Sequence, residues 1–79
     1  MNVEVRLPEL GEDAVATVNV SAWLAEVGMP LLEGDDLLEI TTDKAAFCVP
    51  CPQAGTLVAT RVNEGDDIRP GDIIAVLDV

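Results

Sequence analysis

Seventy-nine residues carry 15 acidic side chains against four basic ones, with no histidine, for a formal net charge of −11. That charge repels phosphate backbones and anionic lipid surfaces, which excludes nucleic-acid and membrane partners from the reading. A chain this short makes one domain and buries only about 60% of the surface its unfolded form exposes, yet its 49% hydrophobic content is enough to fold.

Trp23 and Phe47 are the only aromatic residues, so Val, Leu, Ile and Ala must fill the interior, types that suit a pleated sheet. In chain order, strands are expected at Asn2 to Leu7, Thr17 to Leu24, Leu37 to Thr42, Ala45 to Pro50, Thr56 to Val62 and Ile73 to Asp78. Two very short strands are expected near Leu31 and Ile68. Turn-forming residues separate them at Pro8 to Asp13, Gly28 to Pro30, Glu33 to Asp36, Asp43-Lys44, Pro50 to Gly55, Glu64 to Asp67 and Pro70 to Asp72. This rhythm predicts an all-β sandwich or flattened barrel. No segment of about ten residues shows a 3.6-residue period free of Gly, Pro or β-branched runs, so helix is not expected.

The chain repeats itself. Gly28 and Gly34 recur as Gly65 and Gly71, and 65 minus 28 and 71 minus 34 are both 37. The same shift lays Val20 on Leu57, Ala22 on Ala59, Leu37 on Ile74 and Ile40 on Leu77. Each copy would expose one apolar face, so the two are expected to pack face to face about a pseudo-twofold axis. Asp43-Lys44 has no counterpart within the chain, which puts the lysine near one end of the molecule and both termini near the other.

Lys44 is the only lysine. If Asp43 and Lys44 form a tight turn, Thr42 pairs with Ala45, Thr41 with Ala46, Ile40 with Phe47, Glu39 with Cys48 and Leu38 with Val49. Ile40, Phe47, Leu38 and Val49 then share one face, and a slip of one residue would set apolar against polar. The register carries Lys44 to the tip. Asp-Lys is not a favoured two-residue hairpin sequence, so a type I or strained turn is expected. With no histidine in the chain and no neighbouring group to activate it, a protonated surface amine reads as an attachment point and not as a catalyst.

Across nearly its whole length the sequence resembles the lipoyl domains of 2-oxo acid dehydrogenase complexes. The marks are Leu7-Pro8-Glu9-Leu10-Gly11-Glu12, Trp23-Leu24 before Val27-Gly28, Glu33-Gly34-Asp35, Thr42-Asp43-Lys44-Ala45, Pro50, Ala54-Gly55-Thr56, Glu64-Gly65-Asp66 and Gly71-Asp72. The resemblance implies a flattened barrel of two four-stranded antiparallel sheets with internal pseudo-twofold symmetry. It implies lipoate in amide linkage to Lys44, with Asp43 and Ala45 read by the lipoate-attaching enzyme. It also implies that the loop holding Glu9, Leu10, Gly11, Glu12 and Asp13 helps a 2-oxo acid decarboxylase recognise its carrier.

In that family the tethered group takes an acyl unit from a thiamin-diphosphate-dependent decarboxylase, yields it at an acyltransferase core to coenzyme A, and is reoxidised by dihydrolipoyl dehydrogenase. The chemistry is the cofactor's, and the domain supplies placement. Residues 1–79 would be one carrier domain without an active site of its own, monomeric in isolation. A free-standing protein and the first domain of a longer acyltransferase chain both stay open. The start MNVEVRLPEL lacks a signal-peptide pattern, so a cytoplasmic location is expected, or the mitochondrial matrix for a processed eukaryotic fragment.

Three other functions compete with a lipoyl carrier. Biotin carrier domains share the fold but set their lysine between methionines, and here Met1 and Met29 are the only methionines. The hydrogen carrier protein of glycine cleavage is longer. An unmodified interaction module of the same fold would use the hairpin as a protein contact. Two residue groups bear on other chemistry: Cys48 and Cys51 lack the further ligands that zinc requires and are expected to be small residues near a strand end, and Asp35-Asp36 and Asp66-Asp67 lack calcium-loop spacing and are expected to be solvated. Trp23, whose repeat mate is Thr60, is expected to be a partly buried anchor. Val18 stands where many relatives have Gly, and Thr41 where an acid is common.

Overall fold

The computed structural model describes residues 1–8, 18–42 and 45–79. Eight strands form, β1 (Asn2–Arg6), β2 (Val18–Trp23), β3 (Pro30–Leu31), β4 (Asp36–Thr41), β5 (Ala46–Pro50), β6 (Gly55–Thr60), β7 (Asp67–Ile68) and β8 (Ile73–Asp78), with no helix among the described residues. The expected strands recur with ends shifted by one or two residues at most; Thr17, the expected start of β2, lies outside the described residues.

The strands make two four-stranded sheets, in the orders β1-β8-β6-β3 and β5-β4-β2-β7, and every pairing is antiparallel. Among the described residues no strand of one sheet pairs with a strand of the other, so the fold is a sandwich with open seams and not a closed barrel. The 37-residue repeat carries β2, β3 and β4 onto β6, β7 and β8 residue for residue. The copies are interlocked: β3 of the first pairs with β6 of the second, and β7 of the second pairs with β2 of the first. Each half therefore completes the other's sheet.

The core is one cluster in which repeat mates occupy matching depths. Val20 and Leu57, Leu37 and Ile74, and Ile40 and Leu77 are all exposed by 1% or less. Leu37 and Leu38 are both buried although neighbours on a strand should face opposite ways. The register shift between Asp36 and Leu38 resolves this, because a bulge leaves Leu37 outside the pairing and free to turn inward. The shift between Val5 and Arg6 against β8 does the same for Ile74 and Ala75.

Tight turns lead into β4 and β8. Asp35 N–H donates to Leu32 O at 3.0 Å and Asp72 N–H to Arg69 O at 3.0 Å. Gly34 (φ 90) and Gly71 (φ 95) take the third position, where a type II turn demands positive φ, and Pro70 takes the second. Asp35 and Asp66, expected only to be solvated, also accept backbone hydrogen bonds, as does Asp72. Asp35 Oδ2 accepts from Leu32 N–H at 2.9 Å, Asp72 Oδ2 from Arg69 N–H at 2.9 Å and Asp66 Oδ2 from Asn63 N–H at 2.8 Å. Each carboxylate locks the turn it closes.

Gly55 is required for a different reason. A Cβ there would lie 2.7 Å from the Asp78 carbonyl oxygen and 2.9 Å from Val79 Cγ1. Its repeat mate Val18 is fully buried in β2, so the first copy admits a side chain where the second excludes one. Gly55→Ala is expected to lower stability by about 1–3 kcal/mol, since backbone must move to relieve the clash. Urea denaturation measures it, and an unchanged midpoint would contradict the close approach.

Candidate functional site

The hairpin of β4 and β5 forms in the register the apolar pattern dictates. Leu38 pairs with Val49, Glu39 with Cys48, Ile40 with Phe47 and Thr41 with Ala46. One rung further, Thr42 N–H donates to Ala45 O at 2.8 Å. The Thr42 hydroxyl also donates to Ala45 O, at 3.1 Å, and accepts from Ala45 N–H at 3.2 Å. Only Asp43 and Lys44 separate these partners in sequence. Asp43 and Lys44 themselves lie outside the described residues, as do Glu9, Leu10, Gly11, Glu12 and Asp13.

Buried groups hold the hairpin at its base, with Leu38 and Ile40 at 0% exposure and Val49 at 2%. β2 braces it on one flank: Asn19 pairs with Thr41 and Val20 with Ile40, and Ser21 Oγ shares a hydrogen bond with Thr41 Oγ1. Toward the tip, Thr41, Ala45 and Ala46 are exposed. A braced ladder of this kind fixes Thr42 and Ala45, the residues that flank Asp43 and Lys44 in sequence.

Phe47 departs from the expectation that it belongs to the core face. It pairs with Ile40 but is 41% exposed, because β5 is an edge strand with no neighbouring strand on its far side among the described residues. An exposed aromatic three residues after the lysine was a feature sequence reasoning missed. The signal available was position, since the last rungs of an edge strand outrun the cover of the core.

The two cysteines are separated by their surroundings. Cys48 is exposed, whereas Cys51 is 1% exposed within the core and donates its S–H to Gln53 O at 3.1 Å. Cys51 behaves as a small apolar side chain. Trp23 is half-buried against the core and donates Nε1–H to Val62 O at 2.9 Å, the anchoring role its sequence position suggested. A groove of about 380 Å³ opens between the edge strands β1 and β5, walled by Val3, Val5, Val49 and Pro50, with Glu4 and Arg6 as its charged residues.

The Biotin_lipoyl family model, described as "Biotin-requiring enzyme", matches residues 3–77. The dihydrolipoyllysine-residue acetyltransferase component of the pyruvate dehydrogenase complex of Corynebacterium glutamicum is 35% identical over 77 residues, covering 98% of this chain and 11% of that protein. The dihydrolipoyllysine-residue succinyltransferase component of the 2-oxoglutarate dehydrogenase complex of Cupriavidus necator is 37% identical over 76 residues, covering 96% of this chain and 18% of that one. The chain thus spans less than a fifth of either relative. The solution structure of the lipoyl domain of the 2-oxoglutarate dehydrogenase complex from Azotobacter vinelandii superimposes with a TM-score of 0.74 at 22% identity, over 98% of this chain and 96% of that one. Two interlocked four-stranded sheets, a braced β4–β5 pair whose ends flank the chain's only lysine in sequence, and a family match running from the first strand to the last agree: the chain belongs to the Biotin_lipoyl family of cofactor-carrying domains.

Proposed function

We propose that this chain is a lipoyl carrier domain, with lipoate in amide linkage to Lys44, serving the acyltransferase component of a 2-oxo acid dehydrogenase complex. The observation that carries the reading is the hairpin register: it leaves Asp43 and the chain's only lysine between the paired residues Thr42 and Ala45. The names of the acyltransferase relatives support it. Asp43 and Ala45, not methionines, flank the lysine, which favours lipoate over biotin.

Attachment requires an amine that an enzyme pocket can enclose. In this reading the Lys44 ε-amine attacks the carbonyl carbon of an activated lipoyl donor, an acyl adenylate. An amide forms, AMP leaves and one proton is lost, with no change of oxidation state. Bound lipoate supplies a dithiolane that takes an acyl unit from a decarboxylase and yields it to coenzyme A. The chain's own work is to anchor the tether and to be recognised, with Asp43 and Ala45 read by the attaching enzyme and Glu9, Leu10, Gly11, Glu12 and Asp13 by the decarboxylase. Tethering raises the local concentration at each active site in turn. The partners are thus the lipoate-attaching enzyme, the decarboxylase, the acyltransferase core and dihydrolipoyl dehydrogenase, and the domain contributes no active site of its own.

Mass spectrometry of the protein after incubation with a lipoate ligase, ATP and lipoate tests the assignment. One lipoyl adduct, mapped to Lys44, is expected. Biotin at that residue, or no adduct on folded protein, would overturn it. Offering the lipoylated domain to the thiamin-diphosphate enzymes for pyruvate, 2-oxoglutarate, branched-chain 2-oxo acids and acetoin should show one of them acylating it far faster than the rest.

A further inference from the structure

Among the described residues, four turns repeat one geometry. Residues 26–29, 32–35, 63–66 and 69–72 each place a glycine third, with φ between 90 and 95, and each closes with a hydrogen bond of 3.0 Å from the fourth residue's N–H to the first residue's carbonyl. In three of them the fourth residue is an aspartate, and its Oδ2 also accepts from the first residue's N–H at 2.8 or 2.9 Å. The fourth residue of the first turn is Met29. Its side chain is 42% exposed, so neither core packing nor a carboxylate lock accounts for it.

The 37-residue shift isolates what is unusual here. It lays the exposed Leu24, Val27, Met29 and Leu32 on Arg61, Glu64, Asp66 and Arg69, which are exposed as well. It lays Ser21 on the exposed Val58. The backbone is the same in both places: Gly28 N–H donates to Leu57 O at 2.7 Å and Leu57 N–H to Met29 O at 3.1 Å, as Gly65 N–H donates to Val20 O at 2.8 Å and Val20 N–H to Asp66 O at 2.9 Å. The fold therefore accepts charge at these positions, and the apolar set is not imposed by it. The same bonds hold Val27 and Met29 beside Leu57 and Val58, with Leu24 and Leu32 on either side in the segment. Single exposed hydrophobic side chains are ordinary on a protein surface, but a group of them in one place marks a contact.

Charge narrows the partner. Glu26, Glu33, Asp35 and Asp36 are interleaved with the apolar side chains, and all four are exposed. The described arginines gather elsewhere, around the start of β8: Arg6 pairs with Ile73 and donates Nη1–H to Gly71 O at 3.0 Å, Arg61 N–H donates to Ile74 O at 2.8 Å, and Arg69 opens the turn leading there. The apolar set abuts the far end of that six-residue strand, where Thr56 pairs with both Asp78 and Pro30, about 15 Å away. We propose that Leu24, Val27, Met29, Leu32 and Val58 form a docking surface for a partner-protein segment of aliphatic side chains flanked by lysine or arginine. A second copy of this chain fits poorly, because two acidic rims would meet and each chain carries −11. The surface lies by the start of β4, with Thr41 and Thr42 at that strand's other end, and the inference does not rest on the lipoyl reading.

The test uses the full chain, isotope-labelled for NMR, and a synthetic amphipathic peptide of leucine and lysine at physiological ionic strength. Amide shifts should fall on residues 24–32 and 57–58 and spare 61–69. Val27→Glu with Met29→Asp supplies the residue types that positions 64 and 66 already carry, so the fold tolerates them. The two added acids take the formal charge from −11 to −13, which would tighten a purely electrostatic complex. Affinity should instead fall by about tenfold or more as apolar contact is lost. Met29→Asp alone gives a second readout: a carboxylate there regains the bond to the first residue's N–H, so the melting temperature should rise while affinity falls. A fall in melting temperature would show that Met29 serves the fold instead. Absence of binding, shifts centred on 61–69, undiminished affinity in the double variant, equal binding of a leucine-glutamate peptide, or a dimer of the free chain through these residues would each overturn the inference. None of these outcomes bears on modification of Lys44.

Discussion

Lys44→Arg is expected to abolish lipoylation and to drop acyl transfer through this domain to background, while the domain stays folded. Arginine keeps the positive charge and much of the length of lysine, but its guanidinium spreads the nitrogen lone pairs over a planar cation that stays protonated in proteins and cannot act as an acyl acceptor. The substitution removes nucleophilicity and nothing else. Any other change of function would have to come through charge or shape, which arginine preserves. The hairpin itself is held by the buried rungs of Leu38, Ile40 and Val49 and by the bonds between Thr42 and Ala45, none of which uses the lysine side chain. A surface substitution of this kind moves stability by no more than about 0.5 kcal/mol, which for a domain of this size shifts the melting temperature by about 2–4 °C. Three measurements read the result: intact mass after the ligase reaction, the rate of reductive acylation by the cognate decarboxylase, and thermal unfolding. Free lipoamide added to the variant should not restore the lost rate, because a tether supplies effective concentrations of about millimolar that free ligand does not match in place. Retained carrier activity in the arginine variant would mean that the hairpin serves as a docking element instead.

The strands were legible because apolar and polar residues alternate over most of them, and the register of the β4–β5 hairpin because Leu38, Ile40, Phe47 and Val49 can share a face in one alignment only. The repeat was legible from Gly28, Gly34, Gly65 and Gly71, whose positive φ values of 90–95 admit few other residues. The exchange of β3 and β7 between the sheets was not. A two-residue strand has no side-chain pattern to read, and its place is set by backbone bonds, Gly28 N–H to Leu57 O at 2.7 Å and Gly65 N–H to Val20 O at 2.8 Å. β1 beside β8 and β5 beside β4 hold matching edge places, a correspondence hidden because their residues differ. Leu7 and Cys51 occupy equivalent buried places before Pro8 and Pro52, but a leucine and a cysteine do not advertise a common role. The candidate site was visible because it depends on a residue count and a register, a single lysine and a single alignment. The exposure of Phe47 depends instead on how far the core reaches along an edge strand, a distance that residue type does not encode.

Ile40→Ala and Leu77→Ala should damage stability alike and function unequally. The two side chains are repeat mates, both at 0% exposure in the same core cluster. Truncating a fully buried aliphatic residue to alanine costs about 2–5 kcal/mol in lost transfer energy and cavity formation. At about 0.05–0.15 kcal/mol per residue a domain of this length has about 4–12 kcal/mol in all, so either change removes a large share and brings the urea midpoint down steeply. Their surroundings then separate them. Ile40 pairs with Phe47 two rungs below the Thr42–Ala45 pair and with Val20 of the bracing strand. Leu77 pairs with Val3 and Leu57 beneath the chain termini. Loss of the Ile40 side chain frees the base of the lysine hairpin, and a ligase that requires the tip in one place then meets it less often. Loss of Leu77 loosens an end the enzyme does not visit. Measured well below both melting temperatures, lipoylation should therefore slow in Ile40→Ala and hold its normal rate in Leu77→Ala. Equal slowing in both would tie modification to global opening of the domain, and equal rates would mean that the local order of the hairpin does not govern attachment.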